Sequence, residues 1–258
     1  MSEESLIPLS CGVYRVRPEG SSPASNHRLF SLLKLPGILS CSCAEGIREG
    51  LKSQIATKIA AESYLKHASD FADSDGGREV SGLLKYSLKH TNEDVYKYGH
   101  SMASGGEIAA KFLACAVDGK KITIGQTGEY QSYLFRGNQL QAIFDFGMSV
   151  EVAFDGVLQK FVGANSKLLC ELASTNLEIG DVLVVSTVRD SAKFRASVKN
   201  VLSEKFSPQQ AATLIAKEGV ALEEQPEDRV VFQSATVFVI QVGQVQEGLI
   251  QSYEFREL

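Results

Sequence analysis

The sequence predicts an α+β fold, with two antiparallel sheets face to face and helices on the outside. Three observations predict it. Apolar, β-branched runs follow one another in quick succession, helical periodicities come in pairs, and tight-turn pairs separate several of the runs. That order argues against a strictly alternating βαβα chain and its parallel sheet. No shift in composition divides the 258 residues, and one sheet-containing domain often runs past about 200 residues. The expected unit is therefore 1–258, with a core over about 10–242 and residues 243–258 as a tail or last strand.

In chain order, the first strand is expected over Gly37 to Ala44, apolar and small. Leu51 to His67 reads as an amphipathic helix, with Ile55, Ile59 and Ala60 recurring on one face and Lys52, Lys58 and Lys66 largely elsewhere. Asp70 to Gly77 reads as a polar loop. Arg78 to Tyr98 reads as a second helix burying Val80, Leu83, Leu84 and Leu88. Strands follow at Ile108 to Val117, Lys120 to Thr127, Gln131 to Arg136 and Gln139 to Phe144. Asp118-Gly119 and Gly137-Asn138 are tight-turn pairs, so these segments are expected to form one antiparallel meander. Val182 to Ser186 and Thr236 to Val242 are β-branched runs of the kind that fill central strands. Between them, Ser191 to Lys205 reads as a helix carrying Phe194, Val198 and Leu202. Another helix starts at Ser207-Pro208, an N-cap followed by proline in the first turn, and runs through Ile215. Ala221 to Glu227 reads as a loop.

Bulk properties exclude several classes. The formal net charge is -5, and no basic stripe with interleaved aromatics is present, which argues against nucleic acid. No apolar run approaches the ~20 residues of a spanning helix, so no membrane role is expected. Met1 to Pro8 lacks the positive start and apolar stretch of a secretory signal. Cys11, Cys41, Cys43, Cys115 and Cys170 are odd in number and scattered, as reduced thiols of a cytoplasmic protein are. Cys41 and Cys43 face one side of a strand without a second ligand pair, so they are read as buried apolar thiols. Gly99-His-Ser-Met-Ala103 resembles a nucleophile elbow, yet none of His27, His67, His90 and His100 follows Ser101, which excludes the Ser, acid, His order.

Four segments, taken together, resemble the PPM-type, or phosphatase 2C-like, family. Leu39-Ser-Cys-Ser-Cys-Ala-Glu-Gly46 with its following helix is similar to that family's strand, Asp-Gly turn and first long helix. Lys121 to Gly137 resembles its strand, Gly-Asp-Ser, strand, Arg-x-Gly hairpin. Leu177 to Ser186 is similar to Gly-Asp-x-Leu-x-x-x-Ser-Asp-Gly, and Ser234 to Val242 to the closing Asp-Asn-x-Thr-Val strand. The resemblance implies an αββα sandwich with two Mg²⁺ or Mn²⁺ ions at one end, held by acidic side chains, and a bridging water that attacks a phosphoryl group. Hard divalent ions about 3.5–4 Å apart need clustered carboxylates.

At those positions the chain departs from the family. Asn26-His27-Arg28 stands where the family has Asn-Glu-Asp, and its upstream phosphate-gripping Arg would fall near Pro23. Glu45 replaces the metal-bridging Asp, with Gly46 kept. Thr187, in Ser186-Thr187-Val188, replaces the Asp of Ser-Asp-Gly. Gln233 and Ser234 replace the final Asp-Asn, and Glu129 replaces the Asp of the hairpin. In this register Glu45 alone remains as a carboxylate ligand, and beside Arg28 it is expected to prefer an ion pair. The expectation is a pseudophosphatase that holds no cofactor and has a regulatory, protein-binding role. Its partner would be a protein, phosphorylated in one version of this reading, with Arg28 and His27 as an anion-friendly patch. The alternative is an active Mg- or Mn-dependent Ser/Thr phosphatase with relocated ligands, for which Glu45, Asp190 and Asp228 are the candidates.

Overall fold

A computed structural model describes residues 9–16, 28–35, 38–47, 50–74, 79–102, 108–118, 121–127, 130–144, 150–152, 161–168, 170–188, 190–223 and 235–243. Its elements, in order, are β1 (Leu9–Val16), β2 (Arg28–Leu35), β3 (Ile38–Gly46), α1 (Leu51–Ala72), α2 (Val80–Ser101), β4 (Ala110–Asp118), β5 (Lys121–Thr127) and β6 (Gln131–Arg136). They continue with β7 (Gln139–Ala142), β8 (Val150–Val152), β9 (Glu171–Asn176), β10 (Val182–Ser186), α3 (Ala192–Ser203), α4 (Pro208–Glu223) and β11 (Ala235–Val242). One sheet runs β1-β11-β10-β6-β7 and the other β2-β3-β4-β5-β9-β8, with every pairing antiparallel.

Three apolar layers hold the stack together. Side chains alternate across a strand, so each sheet offers one face to its partner sheet and one to helices. Between the sheets lie Cys41, Leu113, Ile124, Leu134, Leu183 and Ile240. Behind the six-stranded sheet, α1 and α2 bury Tyr64, Leu83, Leu84 and Leu88 against Phe112. Behind the five-stranded sheet, α3 and α4 bury Phe194, Val198 and Ile215 against Val184 and Val237. The predicted α+β sandwich of two antiparallel sheets flanked by helices is therefore the observed one.

The single meander is corrected. Gly137 and Asn138 both take positive φ, 54° and 65°, which closes β6 on β7 as a tight hairpin. β4 and β5 form the other hairpin, but it belongs to the opposite sheet. Both hairpins carry an apolar inner face, Ile122 and Ile124 on one and Leu134 on the other. Folding one hairpin over the other buries both faces, which a flat meander does not.

Helix limits also shift. α1 continues through Asp70, Phe71 and Ala72, which sequence assigned to a loop, because Phe71 packs on Tyr86 of α2 with ring centroids 5.4 Å apart. Its fully buried face is Ala56, Ala60, Tyr64 and Ala68, while Ile55 and Ile59 are only partly buried. Small residues let α1 approach the sheet closely. α4 keeps Ala221–Glu223, also expected as loop. Gly219 does not end it, because a Cβ there would come within 2.6 Å of Val188, so its bare Cα is what lets the helix lie against the sheet. The start of α4 is as read. Gln210 N–H donates to Ser207 Oγ at 3.3 Å and Ser207 N–H donates to Gln210 Oε1 at 3.1 Å, a reciprocal cap. Residues 244–258, expected as tail or strand, lie outside the described residues.

At the far end of the five-stranded sheet, two of the segments that carried the resemblance meet. Arg136, closing β6, donates from Nε and Nη2 to the two carboxylate oxygens of Asp181 at 2.8 and 2.6 Å. Asp181 is 1% exposed and also accepts from Glu178 N–H at 2.7 Å. A bidentate pair of this kind fixes geometry as well as charge. Asp181→Ala, which leaves Arg136 without its buried partner, is expected to cost about 3 kcal/mol, read as a lower urea midpoint at unchanged slope.

Candidate functional site

The strand register places Arg28, Glu45 and Ser186, from the segments that carried the resemblance, at one end of the sandwich. Only three residues join the end of β5 to the start of β6, so those strand ends share an edge. In the six-stranded sheet this edge carries the row Arg28, Glu45, Lys111, with Glu45 directly opposite both basic residues. In the five-stranded sheet it carries Arg15 opposite Thr236 and Ser186 opposite Val237. Tyr130, buried in the crossover between β5 and β6, donates its hydroxyl to Cys43 Sγ at 3.8 Å and so ties the two sheets just beneath Glu45.

Glu45 shares the inward-facing parity of Cys41 and Cys43 and is 5% exposed. It lies inside the last turn-free stretch of β3, not in a turn as the family comparison suggested. Cross-strand Cβ atoms at directly paired positions stand about 4.5–5.5 Å apart, within reach of charge interaction. Lys111 shares parity with Leu113 and Cys115 and is half-buried. Among the described residues, no carboxylate comes within ion-pair distance of its ammonium group. Gly46 points the other way: a Cβ there would come within 2.4 Å of Ser53 Cβ, so this glycine makes room for the first turn of α1.

The remaining cleft positions are engaged in backbone bonding or lie elsewhere. Thr187 Oγ1 accepts from Thr236 N–H at 3.0 Å, while Thr187 N–H donates to Thr236 O at 3.1 Å, a clip that extends the β10–β11 pairing. Ser186 Oγ accepts from Val188 N–H at 3.0 Å. Asp190, three residues past Thr187, does not join Glu45. It accepts Tyr133 Oη at 2.6 Å and Arg195 Nε at 2.8 Å, on the helix side of the sheet where Tyr133 packs with Phe194. Pro23, Asn26, His27, Glu129, Asp228, Gln233 and Ser234 lie outside the described residues, as does the side chain of Arg28.

Two polar groups that sequence did not single out face the same gap. Gln126, 5% exposed, donates from Nε2 to Glu171 Oε2 at 3.0 Å, and its Oε1 has no partner. Ser132 Oγ, at the second position of β6 and of the same parity as Leu134, is likewise buried without a partner. Their signal in sequence is faint: each is a polar residue at an inward position of an otherwise apolar strand.

The described residues do not fit a pair of divalent ions. Among the described residues, no three His, Cys, Asp or Glu side chains are grouped so as to hold a metal. Two doubly charged ions about 4 Å apart repel by about 16 kcal/mol at an effective dielectric of 20, four times the product for unit charges. One carboxylate with a basic residue on each side does not offset that.

The elbow excluded by the histidine order is a helix end here: Gly99 to Ser101 close α2, and Ser101 Oγ donates to Tyr98 O at 2.8 Å. All five cysteines are free thiols, four of them buried, with Cys41 and Cys115 facing each other across β3 and β4 at a sulfur separation of 2.8 Å. Among the described residues, no helix is long and apolar enough to cross a membrane.

Two antiparallel sheets between paired helices are the PPM-type fold of the phosphatase 2C-like serine/threonine phosphatases. Solved structures agree. The chain superposes on the S. agalactiae serine/threonine phosphatase with TM-score 0.67 at 16% identity, covering 91% of this chain and 100% of that one. For the catalytic domain of the phosphatase PstP in complex with two manganese ions, the TM-score is 0.59 at 12% identity, over 93% and 99%. For PppA, described as a key regulatory component of T6SS in Pseudomonas aeruginosa, it is 0.62 at 15%, over 92% and 99%. No protein-family profile and no curated protein sequence matches the chain. At these identities the likeness establishes the fold.

Asp190 gives a pH test of its placement. Hydrogen bonds from Arg195 hold its carboxyl below the usual carboxylate value. A lowered folded value stabilises the protein above the unfolded value of roughly 4, and the contribution is lost as pH falls through the folded value. Asp190→Asn is therefore expected to lower the urea midpoint more at pH 7 than at pH 3. An equal loss at both would contradict the Arg195 pairing.

Proposed function

We propose that this chain is a non-catalytic phosphatase 2C-like domain, a pseudophosphatase with a regulatory, protein-binding role. The observation that carries the reading is the row Arg28, Glu45, Lys111, where the one acid left in the family register stands between two cations. In the family mechanism, metal-bound water owes its reactivity to the ions that clustered acids retain. Here Thr187, at another ligand position, uses its hydroxyl on the Thr236 backbone. Asp190 is held by Arg195 and Tyr133, which supports the non-catalytic reading over relocated ligands. The free thiols suit a reducing compartment, and the cytoplasm is the proposed location.

On this reading the sandwich serves as a platform for a protein partner. A regulatory role is also what the description of PppA states for that protein. Hydrolysis of p-nitrophenyl phosphate by the full chain in the presence of manganese tests the proposal. Turnover is expected to match the protein-free blank, with no heat of manganese binding by calorimetry. Turnover that a chelator abolishes would contradict it.

A further inference from the structure

We infer that the outer edge of β7, roofed by α3, is a docking groove for an extended acidic segment of a partner protein, which adds to the five-stranded sheet as a further strand. This face lies on the helix side of that sheet, away from the mouth. It goes beyond the non-catalytic reading and stands whether or not the mouth turns substrate over.

β7 ends its sheet, and among the described residues no strand pairs with its outer side. Register decides which of its backbone groups are open. In an antiparallel pair, opposed residues alternate between bonded and non-bonded positions. Ile143 N–H donates to Ser132 O at 2.7 Å, so Ile143, Gln141 and Gln139 bond toward β6. Leu140 and Ala142 occupy the alternate positions, and their N–H and C=O groups point away from β6. An extended peptide laid along β7 takes up these groups as ladder hydrogen bonds.

α3 is held along the β6–β7 hairpin at both ends. Ser203 Oγ donates to Asn138 Oδ1, in the hairpin turn, at 2.9 Å. At the other end Asp190 accepts Tyr133 Oη at 2.6 Å and Arg195 Nε at 2.8 Å, and Tyr133 stands opposite Ala142. The helix therefore runs lengthwise over the hairpin. Beside it lies an open groove of about 340 Å³, lined by Gln139, Leu140, Gln141, Arg195, Ala196 and Lys199. Both anchors are in place before a ligand arrives, so binding does not have to order them.

Charge names the occupant. From Asp190 through Lys205, the cations Lys193, Arg195, Lys199 and Lys205 outnumber the acids Asp190 and Glu204, on a chain whose net charge is -5. β7 itself, Gln139-Leu-Gln-Ala142, carries no charge. Arg195 is engaged with Asp190. Lys199, one helical turn further on, is exposed, and among the described residues no carboxylate lies within ion-pair distance of it. Leu140 and Ala142 direct their side chains to the α3 side, and an added strand sends alternate residues the same way. An acid at one of those positions meets Lys199. At an exposed site such a pair selects and steers the partner, while the backbone ladder holds it.

The test uses the full chain in chelator and a fluorescein-labelled peptide alternating Glu and Val, read by anisotropy against its twin alternating Lys and Val. Only the acidic peptide is expected to bind, and more weakly as salt rises. Lys199→Glu is expected to weaken that binding at least about tenfold, because it reverses the charge the peptide meets. Leu140→Pro removes an N–H that β6 does not use, a place where an edge strand tolerates proline, and is expected to abolish binding. Each variant is checked by its urea midpoint, and Lys199→Glu, at an exposed position, serves should Leu140→Pro fold poorly. No binding of the acidic peptide, equal binding of both peptides, or undiminished binding in either well-folded variant overturns the groove. Self-association of the full chain that Leu140→Pro abolishes, with no peptide bound, assigns the edge to a second copy and overturns it too. Manganese in place of chelator is expected to leave peptide binding unchanged, and manganese-dependent turnover overturns the non-catalytic reading alone.

Discussion

Burying a carboxylate where water is scarce demands positive charge or hydrogen-bond donors beside it, because an isolated charge in such a place is costly. Glu45, 5% exposed at the end of β3, has a basic residue opposite it on each neighbouring strand. This arrangement inverts what two hard dications need. A metal pair is held by several acids whose mutual repulsion the ions relieve. Here the register sets a basic residue opposite the acid on each side, Arg28 and Lys111. The proposed non-catalytic reading follows from that single reversal.

The fold survives the reversal because its supports lie elsewhere. Arg136 and Asp181 clamp the opposite end of the five-stranded sheet. Asp94 joins α1 to α2, accepting Ser63 Oγ at 2.6 Å and lying 2.8 Å from His67 Nε2. Three separate apolar layers fill the spaces between helices and sheets. Neither the clamp nor the helix junction involves the mouth. Gly46 shows the same division: it is retained for the packing of α1 on β3, whatever its neighbour Glu45 does.

Sequence made the interior legible where burial was strong and local. Leu83, Leu84 and Leu88 on α2, and the β-branched runs of β10 and β11, are nearly or wholly buried as their patterns imply. It was weaker at sheet margins. β1 and β2 are edge strands, and β9 reads Glu-Leu-Ala-Ser-Thr-Asn, with little apolar signal to mark it. At the site, the resemblance supplied positions 45, 46 and 187, but not their surroundings. That Lys111 stands opposite Glu45 is a matter of register between segments 66 positions apart, which no local pattern encodes. Asp190 was a candidate because it is close to Thr187 in sequence; the chain turns toward α3 between them, and Arg195 claims it.

The central claim is that the mouth cannot retain a pair of divalent cations. Crystals of the full chain grown with manganese in excess, measured at the manganese absorption edge, test it most directly. The account predicts no anomalous peak beside Glu45. Two peaks about 3.5–4 Å apart at that end of the sandwich, ligated by Asp228 or other acids, would contradict it.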